Sequence, residues 1–406
     1  MTEAVIVSVA RSPIGRAHKG SLKDMRADDL VVQMIRAALD QVPELDPQTI
    51  EDIMIGCAQP AGEQGYNIGR MASLQLGLDG VPGTTVHRYC SSSLQTTRMA
   101  LHAIRAGEGD VFVSAGVETV SRFGAGKSDG MPDTKNPAYA DAMARTQALA
   151  ADPEAVWSDP RDRGEHPDIY IQMGDTAENV AQLRGVSRQA QDEWAVRSQN
   201  SAEAAGARGF WQKDITPVTL PDGSVVSTDD GPRAGVTLDG ISGLQPVFRP
   251  HGTVTAANCC PLNDGAAALV VMSDVRAKEL GITPLARVVS TGVSAISPEI
   301  MGLGPVDAVR RALDNARMSI SDIDILELNE AFAAQALPSI DDIGIDPERV
   351  NVNGGAIALG HPFGMTGARM ATTAIHALQE RDEQFAIETM CVAGGQGMAL
   401  LLERMS

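Results

Sequence analysis

The chain has 406 residues, 43% of them hydrophobic and 21% charged, a globular composition too long for one simple core. Its net charge of −19 excludes non-specific nucleic-acid binding, and it makes any polyanionic ligand depend on basic residues gathered locally. Five cysteines (57, 90, 259, 260 and 391) in a chain this long form neither a disulfide framework nor a C-x-x-C pair, so no structural zinc site is expected.

In chain order, residues 3–10 (E-A-V-I-V-S-V-A) read as a strand, with no basic region and cleavage site ahead of it. Residues 29–40 (D-L-V-V-Q-M-I-R-A-A-L-D) read as a helix and 50–56 (I-E-D-I-M-I-G) as a strand. Cys90 follows in V-H-R-Y-C-S-S-S-L-Q, ahead of a helix over 91–107 and a strand over 110–116. Residues 121–252 break the pattern. They begin Gly-, Pro- and Asp-rich with little periodicity, show helical signals from 175, and carry a long helix from 187 to about 207. This stretch reads as an insertion. The segment T-V-T-A-A-N-C-C-P-L-N-D-G-A-A-A-L-V-V-M-S then returns to the first half; its apolar run, 266–272, is far short of a membrane span.

Residues 286–293, 305–314 and 320–326 repeat the patterns of 3–10, 29–40 and 50–56. A strand over 323–328 ends at N-E-A-F (329–332). His361 stands in N-V-N-G-G-A-I-A-L-G-H-P-F-G-M-T-G-A-R, ahead of a helix over 366–381 whose Ala371, Ala374, Ile375 and Leu378 share one face. A strand over 385–390 leads to Cys391 in M-C-V-A-G-G-Q-G. The final R-M-S is not the peroxisomal S-K-L, so a cytoplasmic, reducing location is the default. Chance similarity of two βαβ units would explain the repeat, but five elements recur in the same order. The expected division is a first half (1–120 and 253–275), an insertion (121–252) and a second half (276–406). Each half should hold a mainly parallel sheet layered with helices.

Three motifs carry chemistry. Cys90 precedes a helix, where free peptide N–H groups and the dipole favour a thiolate; the bland alternative is a small buried residue capping a core helix. His361 lies in a Gly-rich loop whose backbone can approach a ligand closely. Its imidazole can take a thiol proton and then hydrogen-bond a thioester oxygen, or be merely a satisfied loop residue. Cys391 ends an apolar strand, and a thiol there can move a proton at carbon. Asn329 lies at a strand carboxyl end, where α/β sites collect, or simply caps the next helix. No phosphate-cradling G-x-x-x-x-G-K and no dinucleotide fingerprint appears, so ATP and NAD are not supported.

These motifs resemble those of the thiolase family, which makes and breaks 3-ketoacyl-CoA thioesters. The resemblance runs from V-A-R-S-P-I-G near residue 10 to the C-terminal G-Q-G-M-A-L-L-L-E-R, with no clear counterpart for roughly 120–170. It implies an α/β thiolase fold: two similar βαβ-rich halves in an α/β/α/β/α layering, with an inserted loop domain. It implies that Cys90 takes up the acyl group, that Cys391 shuttles the proton at carbon, and that the backbone N–H groups of Cys90 and Ala393 form an oxyanion hole. Asn329 would orient a water that, with His361, binds the thioester oxygen. Arg233 would meet the coenzyme phosphates, unless it is a solvated surface charge. Phe248 would pack on the coenzyme, Met173 and Phe332 would line the pantetheine tunnel, and Cys260 replaces a serine that touches pantetheine.

Three positions depart from the family pattern. Ser93 stands at a glycine position, where it should narrow the pocket. Ala393 also replaces glycine, and fits only if no glycine-only backbone is needed. Cys260 is a weaker hydrogen-bonding group than serine. The implied activity is reversible transfer of an acyl group between 3-ketoacyl-CoA and CoA, as thiolytic cleavage or, backwards, Claisen condensation. Acyl-CoA and CoA are then the substrates, without metal or further cofactor. The implied assembly is a homodimer or homotetramer, with no nucleic-acid or membrane partner. M-G-D-T-A-E-N and G-E-Q-G-Y-N-I-G-R look more like the degradative, β-oxidation branch. A ketoacyl synthase-type condensing enzyme is a rival that Cys391 argues against. A non-catalytic acyl-CoA- or lipid-binding thiolase-like protein is another, opposed by the presence of all four groups.

Overall fold

The first and last thirds of the chain fold as two copies of one sheet-and-helix unit in the computed structural model, which describes residues 2–406. The first copy contains β1 (Ala4–Arg11), α1 (Ala27–Leu39), β2 (Asp52–Gly56), α2 (Ile68–Gln75), β3 (Gly83–Val86), α3 (Ser92–Ala106) and β4 (Val111–Thr119). The insertion carries α4 (Ala140–Ala151), α5 (Met173–Arg184) and α6 (Arg188–Ala207) before β5 (Asn263–Ser273) rejoins the first sheet. The second copy contains β6 (Ala286–Ala295), α7 (Gly304–Ala316), β7 (Ile325–Leu328), α8 (Ala333–Ile343), α9 (Thr366–Arg381), β8 (Phe385–Val392) and β9 (Gln396–Arg404).

Strand order is β1-β5-β4-β2-β3 in the first half and β6-β9-β8-β7 in the second. The mainly parallel sheet expected for each half is not found. β5 runs antiparallel to β1 and β4, and β9 antiparallel to β6 and β8, while β2, β3 and β4 are parallel, as are β7 and β8. The connection explains this. β8 turns directly into β9 at Gly394 and Gly395, with φ of 81° and 78°, and a tight hairpin joins antiparallel strands. In the first half the whole insertion occupies that same connection, between β4 and β5.

The two half-sheets join where Val5 and Ile6 of β1 meet Arg287 and Ala286 of β6. One core cluster combines α3 and α9 with strands of both halves, which makes these helices the middle layer. α1 covers the outer face of the first sheet, and α7 and α8 that of the second. Every residue of β4 and β5 is buried, which is why 111–117 and 265–273 read as unbroken runs of small and apolar residues.

The insertion holds one helix that periodicity missed. α4, A-D-A-M-A-R-T-Q-A-L-A-A, buries only Ala142, so it has almost no apolar stripe; its alanines favour helix by propensity alone. α6 starts as expected, with the Ser187 side chain accepting the Ala190 N–H at 3.1 Å. Fully buried Arg11 ties the insertion to β1, through Asp214 at 2.7 Å and Asp229 at 2.6 Å. His376 of α9 donates to the same Asp214 at 2.9 Å.

Burial alone would raise the Asp214 pKa, but Arg11 and His376 outweigh it and hold the carboxyl at about 2. Its stabilisation is therefore whole above the unfolded value of roughly 4 and is lost as pH falls toward 2. Arg11→Ala strands two buried carboxylates and should cost about 3–5 kcal/mol, read from denaturant midpoints at pH 7. The cost should shrink as pH falls toward 2, because wild type loses its Asp214 stabilisation there while the variant, whose Asp214 lacks the Arg11 charge, has less of it to lose. Unchanged midpoints would show that Arg11 is not what pins the insertion.

Candidate active site

Cys90 owes its position to a strained turn. After β3 the chain passes through Tyr89 at φ 42°, a conformation that side-chain-bearing residues seldom adopt, and enters the turn Tyr89–Ser91 ahead of α3. The Tyr89 ring packs edge-on against His87 at 4.4 Å, and burial with the nearby Asp129 raises its pKa. Cys90 is 9% exposed. Burial pushes its thiol up to about 12, against the lowering effect of the Ala393 N–H and its own N–H. Burial thus opposes the thiolate that the helix terminus favours, and a thiol so placed reacts through a base that takes its proton.

Ala393 stands in the turn that directly follows β8. The left-handed residues of this turn are Gly394 and Gly395, so alanine at 393 carries no backbone strain. Ser93 does not narrow the pocket as expected. Its hydroxyl is fully buried and accepts the Ala368 N–H of α9 at 2.9 Å, so the side chain faces the neighbouring helix.

His361 is 1% exposed, with its N–H on Asn263 Oδ1 at 3.0 Å and its ring edge-on to Phe363 at 5.2 Å. Nδ1 lies 2.6 Å from Thr366 Oγ1, while Nε2 is buried with no protein partner. Burial, and then the charge of Arg369, depress its pKa to about 3, so the imidazole is neutral at physiological pH. Glu118 at the end of β4 holds this loop, accepting N–H groups from Gly364 at 3.0 Å and Ala58 at 2.8 Å. Burial lifts that carboxyl to about 7, although these donors pull the other way. The loop packs on the turn that carries Cys90.

Asn329 and Cys391 come together through the parallel pairing of β7 and β8, which sets Leu328 opposite Thr389. The Asn329 N–H bonds Thr389 O at 2.9 Å, and its side-chain Oδ1 and Nδ2 are buried without a protein partner. Desolvation, with the nearby Cys90, drives the Cys391 thiol well above its ordinary value. Cys391 packs with Met301 and Phe332, against which Met173, Cys259 and Cys260 also lie.

A cavity of about 480 Å³ opens beside this cluster, lined by Arg233, Cys259, Pro261, Leu262 and Val247. Arg16, His18 and Lys19 line it too, which sequence reading missed, although R-A-H-K-G is a basic cluster in an acidic chain. Burial and the nearby Arg16 lower the Arg233 pKa, and no carboxylate opposes them. Of the expected coenzyme contacts, Arg233 reaches this cavity. Phe248 is not among the residues that line it; it packs over Gly174 and edge-on to Phe332 at 5.9 Å. Cys259 rather than Cys260 lines the cavity, and Cys260 lies within electrostatic reach of Cys90 and Cys391.

Comparison with known proteins agrees along the whole chain. The family described as Thiolase, N-terminal domain matches residues 4–275, and Thiolase, C-terminal domain matches 282–404. The chain is 44% identical to the 3-oxoadipyl-CoA/3-oxo-5,6-dehydrosuberyl-CoA thiolase of Escherichia coli (strain K12), covering 100% of both chains. It is 41% identical to a 3-ketoacyl-CoA thiolase of Photobacterium profundum, again over 100% of both. The crystal structure of the Bacillus anthracis acetyl-CoA acetyltransferase superposes with a TM-score of 0.86 at 36% identity, covering 100% of this chain and 99% of that one.

A neutral buried thiol reacts only as fast as its proton is removed. His361→Asn should slow iodoacetamide alkylation of Cys90 at pH 7 by roughly 100-fold, with Cys259 labelled at its wild-type rate. Peptide mass mapping reads both. Equal Cys90 rates in the two proteins would exclude His361 as the base.

Proposed function

The chain belongs to the thiolase family, and we propose that Cys90 is the residue acylated in its thiolase reaction. It is an acyltransferase acting on 3-ketoacyl-CoA and CoA. The observation that carries the assignment is that the turn holding Cys90 packs both on the loop that follows His361 and on β8, the strand that carries Cys391.

In cleavage, His361 Nε2 takes the Cys90 proton as the sulfur bonds the ketone carbon, and the oxygen becomes an alkoxide. The N–H groups of Cys90 and Ala393 face one oxyanion. His361 Nε2–H and a water held by Asn329 serve the thioester oxygen. The alkoxide then collapses and the C2–C3 bond breaks toward the acetyl-CoA enolate, which takes its proton from Cys391. Incoming CoA gives its thiol proton to the Cys391 thiolate and attacks the acyl group. Cys90 leaves and recovers its proton from His361. Every proton is accounted for, and the thioester itself acidifies C2, so no metal or redox step enters.

Arg16, Lys19 and Arg233 suit the coenzyme phosphates, since cations concentrated in an acidic chain attract a polyanion. The open edge of β3, beside exposed Tyr66, Met71 and Leu74 of the α2 region, supports a homodimer, which light scattering reads as twice 42.7 kDa. All five cysteines are free, which fits a reducing cytoplasm. No helix among the described residues is long and apolar enough to cross a membrane. The degradative direction, β-oxidation-type cleavage, rests on the sequence stretches noted above.

Two variants test this reading. Cys391→Ala should still form acetyl-Cys90 from acetyl-CoA, seen by mass spectrometry, while acetoacetyl-CoA cleavage falls by roughly 100-fold or more; near-normal cleavage would make Cys391 structural. Arg16→Ala combined with Lys19→Ala should raise KM for CoA by about 10-fold with kcat nearly unchanged, and should weaken the salt dependence of KM. An unchanged KM would place the phosphates elsewhere.

A further inference from the structure

We propose that Thr366 is a positioning residue that fixes His361 as the tautomer with its proton on Nδ1. The inference deepens the acyl-Cys90 reading above and rests on it for its catalytic meaning. Thr366 is the first residue of α9 and is fully buried. Its hydroxyl oxygen has two close neighbours, His361 Nδ1 at 2.6 Å and the Pro362 carbonyl oxygen at 3.0 Å.

The hydroxyl has one hydrogen, and the Pro362 oxygen can only accept. When the hydroxyl donates to Pro362, its lone pair faces Nδ1, which must then bring the proton, and both contacts are hydrogen bonds. When it donates to Nδ1 instead, only one hydrogen bond remains and two oxygens face each other without a hydrogen. The first arrangement gains one net hydrogen bond, a preference on the order of 5-fold or more. The far side of the ring agrees with it. Nε2 is buried and meets no protein acceptor, so a hydrogen there would be an orphaned donor, the rarer kind of unsatisfied group. The edge-on Phe363 ring restrains the imidazole plane.

The chemical consequence is direct. With the proton on Nδ1, Nε2 presents a lone pair and can take the Cys90 proton as the sulfur–carbon bond forms. The Nε2–H so made can then donate to the thioester oxygen. The opposite tautomer presents N–H toward the site and cannot accept.

The experiment uses the full-length enzyme labelled with 15N-histidine. Proton–nitrogen correlation spectra distinguish protonated from bare ring nitrogens, and the His361 signals are those lost in His361→Asn. Wild type should show a protonated Nδ1 and a bare Nε2. Thr366→Val, which has the shape without the hydroxyl, should shift His361 toward Nε2–H and lower kcat by roughly 10- to 100-fold with KM for CoA held. Thr366→Ser should restore both. A bare Nδ1 in wild type overturns the proposal, as does a Thr366→Val enzyme with unchanged tautomer and kcat. If Thr366→Val does not fold, the wild-type spectrum and Thr366→Ser still decide. Failure of Cys90 to become acylated would sink the catalytic reading while leaving the tautomer measurement intact, so the two failures are separable.

Discussion

The two halves of the molecule touch through bare backbone, and the active site depends on that contact. A Cβ on Gly116 of β4 would stand 2.1 Å from the Gly364 oxygen, and one on Gly367 of α9 would stand 2.4 Å from the Leu94 nitrogen of α3. No side chain fits at these distances, so glycine is what lets the His361 loop lie directly on β4 and α3. The Ser93 hydroxyl and the Glu118 carboxylate then fasten the two surfaces, each accepting an N–H from the opposite half. Cys90 comes from one half and His361 and Cys391 from the other. A small retreat of the halves would separate Cys90 from His361 without unfolding either sheet.

Close packing also sets the chemistry. The site is so well desolvated that both thiols are held protonated and the imidazole neutral. Burial therefore favours the neutral form of all three side chains. In such surroundings any oriented N–H group acts with little solvent screening. The cationic mouth formed by Arg16, Lys19 and Arg233 is the complement of this neutral interior. It concentrates positive charge at one cavity of a chain of net charge −19.

Much of this was legible in the sequence, for identifiable reasons. Cys90, His361 and Cys391 sit among small residues because backbone must approach backbone there, and such motifs stand out in any chain. The duplication was visible because each copy buries the same faces. Sheet direction was not, because it is decided by connections: a hairpin in one copy and a long insertion in the other. α4 was hidden because it forms by alanine propensity with almost nothing buried. The desolvation of Cys90 was not legible, because a helix terminus is readable from sequence and the depth of burial is not. Ser93 was misjudged likewise: its identity showed, but not that it points at α9. Arg16, His18 and Lys19 were overlooked because their partner, Arg233, lies more than 200 residues away in the chain.

The central claim is that contact between the halves makes Cys90 the group that carries the acyl chain. Wild-type enzyme should be mixed with a 3-ketoacyl-CoA in the absence of free CoA, quenched in acid, digested and mapped by mass. The account predicts one acyl group per chain, on the peptide containing Cys90, removed when CoA is added before the quench. An acyl group on Cys259, Cys260 or Cys391, or cleavage with no acylated peptide at all, would contradict it.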